Sequence, residues 1–412
     1  MKVLGGGGTY VTSWLCKRDA FMDIVIAAAK RTAIGAFQGR LASVTAPELG
    51  SIALRGAVNE AGLDPDDIDL VVFGNVLSAG LGQAPARQSA LYSGLPNTIS
   101  TVTLNKMCGS GLEAIIQGVR AITVGDASVV VAGGMESMSN SPHLLLGARK
   151  GWPLGDGEIV DSIIKDGLWD IYNNIHMGSC AELCAERYGF SREQQDVYAI
   201  ESYRRAQQAI TEGYFAEEIV PTEVKGHKGA IQTVLEDESP AKVDFARISA
   251  LRPAFEKDGT ITAANASTLN DGAAAVVIAE ATVARELGLT IEAKICGYSG
   301  NAHAPEWFTT APVGAIEALF SQLSWTPDSV DLFEINEAFS VVPMAVTKEL
   351  NLLHDRVNVH GGSVALGHPI GASGARIVVT LLNALKQRQE SRGVATICIG
   401  GGEALALGIE LS

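Results

Sequence analysis

PDDIDLVVFGN, residues 65–75, and PDSVDLFEIN, residues 327–336, follow one pattern: a proline-acid turn, a short apolar strand and a closing asparagine, 262 residues apart. Other landmarks repeat at nearly the same distance. CGSG from Cys108 is answered by GASG from Gly371, at an offset of 263, and AGGMES from Ala132 by IGGGEA from Ile399, at 267. Recurrence at near-constant spacing marks a duplicated structural unit.

Within the first copy, strand-like and helix-like runs alternate. DIVIAAA begins at Asp23, a helix opens on the capping pattern Thr45-x-x-Glu48, DLVVFGN begins at Asp69, STVTL at Ser100, a helix follows Cys108, and SVVVAGG begins at Ser128. This βαβα order predicts an α/β protein with a largely parallel sheet. Residues 140–268 break the pattern with a Gly/Trp/Asp-rich stretch, an amphipathic helix over 192–208 and the polar run HKGAIQTVLEDESPAK from His227. The expected division is an extension over 1–21, a first core domain over 22–139 and 269–290, an inserted subdomain over 140–268, and a second core domain over 291–412. Insertions at the carboxyl ends of parallel strands are where α/β proteins usually place ligands.

Composition narrows the function. The 412 residues are 47% hydrophobic and 19% charged, which excludes disorder and fits strands buried on both faces. A net charge of -15 argues against nucleic-acid binding, which needs a concentrated basic face. No apolar run approaches the roughly 20 residues that cross a bilayer, so no membrane association is expected. Cys16, Cys108, Cys180, Cys184, Cys296 and Cys398 are scattered without short repeated spacings, which indicates neither a disulfide framework nor a zinc cage, and points to a reducing cytoplasm. Residues 1–21 hold a glycine run rather than a signal-type apolar segment, and Met22, directly before DIVIAAA, is the expected working start.

Cys108 lies in LNKMCGSGLEAIIQGVRAI, after a strand and before Leu112, Ile115, Ile116, Val119 and Ile122, which share one helical face. A helix N-terminus favours thiolate and is expected to lower a thiol pKa from about 8.5. A cysteine taken alone is more often a small buried apolar residue. The flanking glycines shift the balance, because they allow a tight strand-to-helix turn that a substrate can approach closely. His368, in GGSVALGHPIGASGAR, occupies the matching turn of the second copy, where pseudo-twofold packing would bring it opposite Cys108 as a base. Cys398 ends an apolar strand before a glycine run whose N-H groups suit an oxyanion, and Asn336 ends the other repeated strand. A dinucleotide site at Gly109–Gly111 is disfavoured by the missing third glycine and the misplaced acid. Cys180 and Cys184 sit at helical spacing without the partners of a metal site, so helix packing explains them.

Taken together, NKMCGSG (105–111), NASTLNDGAA (265–274), INEAF (335–339), GGSVALGHPIGASGAR (361–376) and CIGGGEALA (398–406) resemble the signature blocks of the thiolase family, in family order, over residues 23–412. The resemblance implies two duplicated βαβα-type core domains in a layered α-β-α-β-α arrangement with an inserted loop domain. It implies that Cys108 is acylated, that His368 activates it and that Cys398 moves the proton at the substrate alpha carbon. A catalytic water held by Asn336 would, with His368, stabilise one thioester oxyanion, and the backbone N-H groups of Cys108 and Gly400 the other. His176 and Met177 in IHMGSCAE would shape a shallow acyl pocket favouring acetyl and acetoacetyl groups. Leu168, Ala263, Ser267, Leu269, Ala338 and Phe339 would line the coenzyme A and pantetheine tunnel.

The implied reaction is acetyl-CoA C-acetyltransfer, the reversible joining of two acetyl-CoA to acetoacetyl-CoA and CoA, with no cofactor, no metal and a homotetramer that is a dimer of dimers. A broader 3-ketoacyl-CoA thiolase, a decarboxylating condensing enzyme lacking a second cysteine, and a silent acyl-CoA-binding protein are the alternatives. Three departures from the family pattern stand out. PEWFTTAP fills 305–312 where Met-Gly-x-Gly-Pro is common, no arginine lies near 239–242 for the CoA nucleotide, leaving Lys242 or Arg247, and His360 replaces a common asparagine.

Overall fold

The computed structural model describes residues 23–152, 154–225 and 230–412. The expected extension over 1–21 and the start at Met22 lie outside the described residues. The principal strands are β1 (Ile24–Thr32), β2 (Leu70–Gly74), β3 (Ser100–Leu104), β4 (Val129–Ser137), β5 (Asn270–Glu280), β6 (Ala293–Ala302), β7 (Leu332–Ile335), β8 (Arg392–Ile399) and β9 (Glu403–Leu411). The helices that frame them are α1 (Ala46–Ala61), α2 (Ser110–Val124), α3 (Met177–Tyr188), α4 (Arg192–Thr211), α5 (Ala311–Leu323), α6 (Val341–Leu350) and α7 (Ser373–Arg388).

Among the described residues these strands form one sheet in the order β7-β8-β9-β6-β1-β5-β4-β2-β3. Read outward from the β1-β6 junction the order is palindromic. β2 pairs β4 in parallel as β7 pairs β8, and β4-β5-β1 are successively antiparallel as are β8-β9-β6. Val357, bridged in parallel to Phe333 of β7, stands where β3 stands beside β2. The duplication expected from the repeated strands is therefore realised in the pairing itself. Among the described residues, the sheet is continuous between the two halves through Val25 and Ile26, which pair with Lys294 and Ala293.

The sheet is mixed rather than largely parallel. Parallel pairing requires a crossover of a dozen or more residues, whereas β8 and β9 are separated only by Gly400–Gly402 and must form a hairpin. The block CIGGGEALA, quoted above as a single run, contains that hairpin.

Two helices form the middle of the molecule. Leu112, Ile115, Ile116, Val119 and Ile122 of α2, and Ile377, Val378, Leu381, Leu382 and Leu385 of α7, pack in one cluster against strands of both halves. Each such side chain contributes roughly 1.5–3 kcal/mol on burial. A second cluster puts α1 on the far face of the first half, and a third puts α3, α5 and α6 on the far face of the second. The layers are thus helix, sheet, helix, sheet, helix. Strands covered on both faces need no polar alternation, which is why β4 is buried throughout.

The helix starts meet backbone to backbone. A Cβ on Gly111 would lie 2.6 Å from Ala375 N, and one on Gly374 only 2.4 Å from Leu112 N. Alanine has the better helix propensity by about 1 kcal/mol, yet Gly374→Ala should destabilise the protein by about 1–3 kcal/mol through overpacking. Urea unfolding checks this; unchanged or raised stability would contradict the close contact.

Candidate active site

The turn that carries Cys108 is written in its own side chains. Asn105 Oδ1 accepts from Met107 N at 2.9 Å, and Ser110 Oγ accepts from Lys106 N at 2.8 Å while donating to Met107 O at 2.6 Å. These bonds hold Met107 at φ 48, a left-handed conformation that costs a non-glycine residue of order 1–3 kcal/mol. Cys108 is thereby presented at the tip, partly covered, two residues before α2 begins.

The N-H groups of Gly400 and of Cys108 itself lie close enough to its sulfur to favour the thiolate. These are the two backbone donors expected for a thioester oxygen. The expected fall in the Cys108 pKa does not occur: burial pushes the thiol up to about 11, those two N-H groups oppose the rise, and the Glu136 carboxylate adds to it. The dipole of α2 does not offset the loss of hydration. Cys108 rests as a thiol and needs a base.

His368 follows the turn before α7. Its Nδ1 lies 2.6 Å from Ser373 Oγ, and that hydroxyl donates to Pro369 O at 3.0 Å. With its proton so committed, the serine accepts from Nδ1-H, which leaves the lone pair on Nε2. Nε2 is buried and unpartnered. Burial, aided by Arg376, lowers the imidazole pKa to about 3, so the ring is a neutral proton acceptor. The close packing of Gly111 against Ala375 and Gly374 against Leu112 brings the Cys108 and His368 turns together.

Cys398 is fully buried on β8. Its thiol is raised well above the ordinary value, first by burial and then by the charge of Cys108, so the two sulfurs share one site. Asn336 is also fully buried; its Oδ1 accepts from Ser363 Oγ at 2.6 Å and its Nδ2 has no protein partner. Across the rim, Lys106 and Glu403 form an ion pair between the Cys108 turn and the Gly400–Gly402 hairpin.

The expected tunnel residues divide. Leu168 and Leu269 pack with Cys108 around Ile370 and Met138. Met177, Ala338, Phe339 and Cys398 share the third core cluster, and Met177 Sδ would lie 3.5 Å from a Cβ on Gly400. Ser267 donates its N-H and its hydroxyl to Ala338 O. His176 caps α3, its Nδ1 accepting from Gly178 N at 2.9 Å, and stacks on Phe255 with ring centroids 4.7 Å apart. Ala263 is exposed in the loop before β5.

PEWFTTAP leads into α5 and turns Phe308 inward, 6.3 Å from the Phe339 ring. Lys242 is engaged by Glu238 at 2.7 Å, and His360 packs on Tyr214 and hydrogen-bonds Gln387. Cys180 and Cys184 are buried in the packing face of α3.

Four site residues escaped the sequence reading. Glu136, the one acid in the buried strand β4, accepts from Asn75 Nδ2, Val76 N and Leu77 N of the first half and from Gly371 N of the second. Burial pushes its carboxyl up to about 7. Ser363, Ser373 and Arg376 lie within the quoted histidine block but point at it from behind. Arginine in the first turn of a helix runs against the dipole and calls for a buried acid, here Glu334. That was the available signal.

Two cysteine thiols, a neutral histidine and a pair of backbone donors at one duplicated turn define an acyl-transferring condensing site. The thiolase N-terminal domain model matches residues 24–282 and the thiolase C-terminal domain model residues 289–411, and the chain belongs to the thiolase family. Acetyl-CoA acetyltransferase 2 of Arabidopsis thaliana is 50% identical over 94% of this chain and 97% of its own length. The acetyl-CoA acetyltransferase of Cupriavidus necator is 48% identical over 94% and 99%. The crystal structure of the Acat5 thiolase from Ascaris suum in complex with coenzyme A has a TM-score of 0.90 and 47% identity, covering 95% of this chain and 100% of that one.

A neutral thiol-imidazole pair has a pH signature. The thiolate is the form that alkylates, so the rate of Cys108 carbamidomethylation by iodoacetamide should keep climbing above pH 9 toward about 11. A plateau already reached near neutrality would mean a preformed thiolate-imidazolium pair.

Proposed function

We propose that this protein is an acetyl-CoA C-acetyltransferase, catalysing the reversible Claisen condensation of two acetyl-CoA to acetoacetyl-CoA and CoA by a ping-pong route. The observation that carries this reading is the pair of thiols, Cys108 beside the Gly400 N-H and Cys398 buried within its electrostatic reach. An acyl-binding protein or a simple acyl transferase has no use for the second one. The names of relatives at about half identity over nearly the whole chain support the acetyl specificity.

In the cleavage direction, His368 Nε2 takes the Cys108 proton as sulfur attacks the 3-keto carbon of acetoacetyl-CoA. The carbon-carbon bond breaks, its electron pair goes to the departing alpha carbon, and Cys398 supplies the proton that makes acetyl-CoA. A thiol kept protonated by burial suits that step. CoA gives its thiol proton to Cys398 as it attacks acetyl-Cys108, and the departing Cys108 sulfur recovers its proton from His368. A water held by Asn336 Nδ2 stabilises one developing oxyanion together with His368, and the N-H groups of Cys108 and Gly400 stabilise the other. Preorganised donors of this kind are each worth about 100- to 1000-fold. No cofactor enters; the CoA thioesters are substrates.

Met177 lies beside Gly400, and Phe339 packs between Phe308 and Phe255 in the same cluster, an arrangement of bulky groups that supports acetyl and acetoacetyl groups. Leu168, Leu269, Ser267 and Ala263 flank the route for pantetheine, and with Lys242 occupied by Glu238, Arg247 is the residue assigned to the CoA nucleotide. Reactive Cys108 and Cys398 must both stay reduced, which suits the cytoplasm. The assembly assigned is a homotetramer, supported by the edge strand β3 and by exposed Leu146, Leu154, Ile159 and Tyr172 in the inserted segment.

Purified protein should consume acetoacetyl-CoA in a CoA-dependent manner much faster than a medium-chain 3-ketoacyl-CoA; the reverse preference would move the assignment to a degradative 3-ketoacyl-CoA thiolase. Cys108→Ala should abolish turnover. Cys398→Ser should lower kcat for cleavage by about 100- to 10,000-fold while burst acylation by an acyl-CoA survives, and equal losses in both would refute its role.

A further inference from the structure

The amide of Asn336 is oriented from behind. Ser363 Oγ accepts from Arg376 Nη2 at 3.1 Å and lies 2.6 Å from Asn336 Oδ1. A guanidinium carries donors only, so the serine proton is free to go to the asparagine, and the amide atom it meets must be the acceptor oxygen. The NH2 is thereby turned the other way, buried and without a protein partner. Arg376 is held in its turn by Glu334 Oε1 at 2.6 Å, both side chains buried. Glu334 stands on β7, two residues before Asn336, so the chain Glu334-Arg376-Ser363-Asn336 closes on the strand from which it began.

We infer that Ser363, fixed by the Arg376-Glu334 pair, is a positioning residue that selects the amide orientation in which the Asn336 NH2 faces the oxyanion site. This rests on the reaction proposed above. An amide has nearly the same shape after a half-turn, so packing alone does not choose between its two ends. With the oxygen forward, an acceptor would stand where the oxyanion site needs a donor. One hydroxyl proton decides which occurs. The same guanidinium disfavours a charged His368, so α7 sets both members of the oxyanion site: Arg376 acts through Ser363 on Asn336, and Ser373 acts on the histidine.

The test is a double-mutant cycle on the full-length protein, read as steady-state CoA-dependent cleavage of acetoacetyl-CoA, with thermal unfolding of each variant. Ser363→Ala should lower kcat about 10- to 100-fold with KM little changed, and Ser363→Thr, which keeps the hydroxyl, should recover most of it. In an Asn336→Ala background, Ser363→Ala should cost nothing further, because the group it orients is gone. A general structural role would instead multiply the two losses and lower stability alongside, and that result, or an unchanged kcat in Ser363→Ala, would overturn the inference. Wild-type protein without cleavage activity would overturn the reaction itself, whereas an active wild type with an indifferent Ser363→Ala removes only the positioning role.

Discussion

Two helix N-termini, those of α2 and α7, are pressed together at the pseudo-twofold axis closely enough that neither Gly111 nor Gly374 has room for a Cβ. Each end carries unsatisfied N-H groups and roughly half a positive charge, so their meeting concentrates positive potential in a buried place. Glu136 answers part of it: its carboxylate collects N-H groups from Val76 and Leu77 of one half and Gly371 of the other. What remains is an environment prepared for transient negative charge, and the reactive groups stand around it. The duplication is thus the means by which two equivalent turns come to hold different halves of one reaction, a nucleophile on the first and a base on the second.

Burial sets the resting state of that chemistry. The same desolvation that raises the Cys108 thiol to about 11 lowers His368 to about 3, so both groups are neutral and the proton moves only when substrate gives it a reason to. The N-H groups of Gly400 and Cys108 face the sulfur at rest. Because these donors belong to a tight glycine hairpin joined to the Cys108 turn by the Lys106-Glu403 pair, their positions do not have to be rebuilt at each turnover.

Much of this was legible in the chain. The repeated proline-acid strands foretold the duplication, Thr45-x-x-Glu48 became a capping box, and the apolar face after Cys108 became the buried face of the central helix. Strand direction was not legible, because an apolar run buried on both faces looks alike in parallel and antiparallel sheets, and the hairpin at Gly400–Gly402 was hidden in a single run. The direction of the Cys108 shift was also misread. Helix position is visible in sequence, whereas the depth of burial that outweighs it is a property of the packed whole. Ser363, Ser373 and Arg376 escaped for a related reason: their meaning lies in which atom they hold, and hydrogen-bond direction has no sequence spacing.

The central claim is that Cys108 carries the acyl group. Incubating the protein with acetoacetyl-CoA in the absence of free CoA, quenching in acid and mapping peptides by mass spectrometry tests it directly. The account predicts a gain of one acetyl group confined to the peptide containing Cys108, removed on addition of CoA. Acetylation at another residue, or release of acetyl-CoA with no modified peptide at any time, would contradict it.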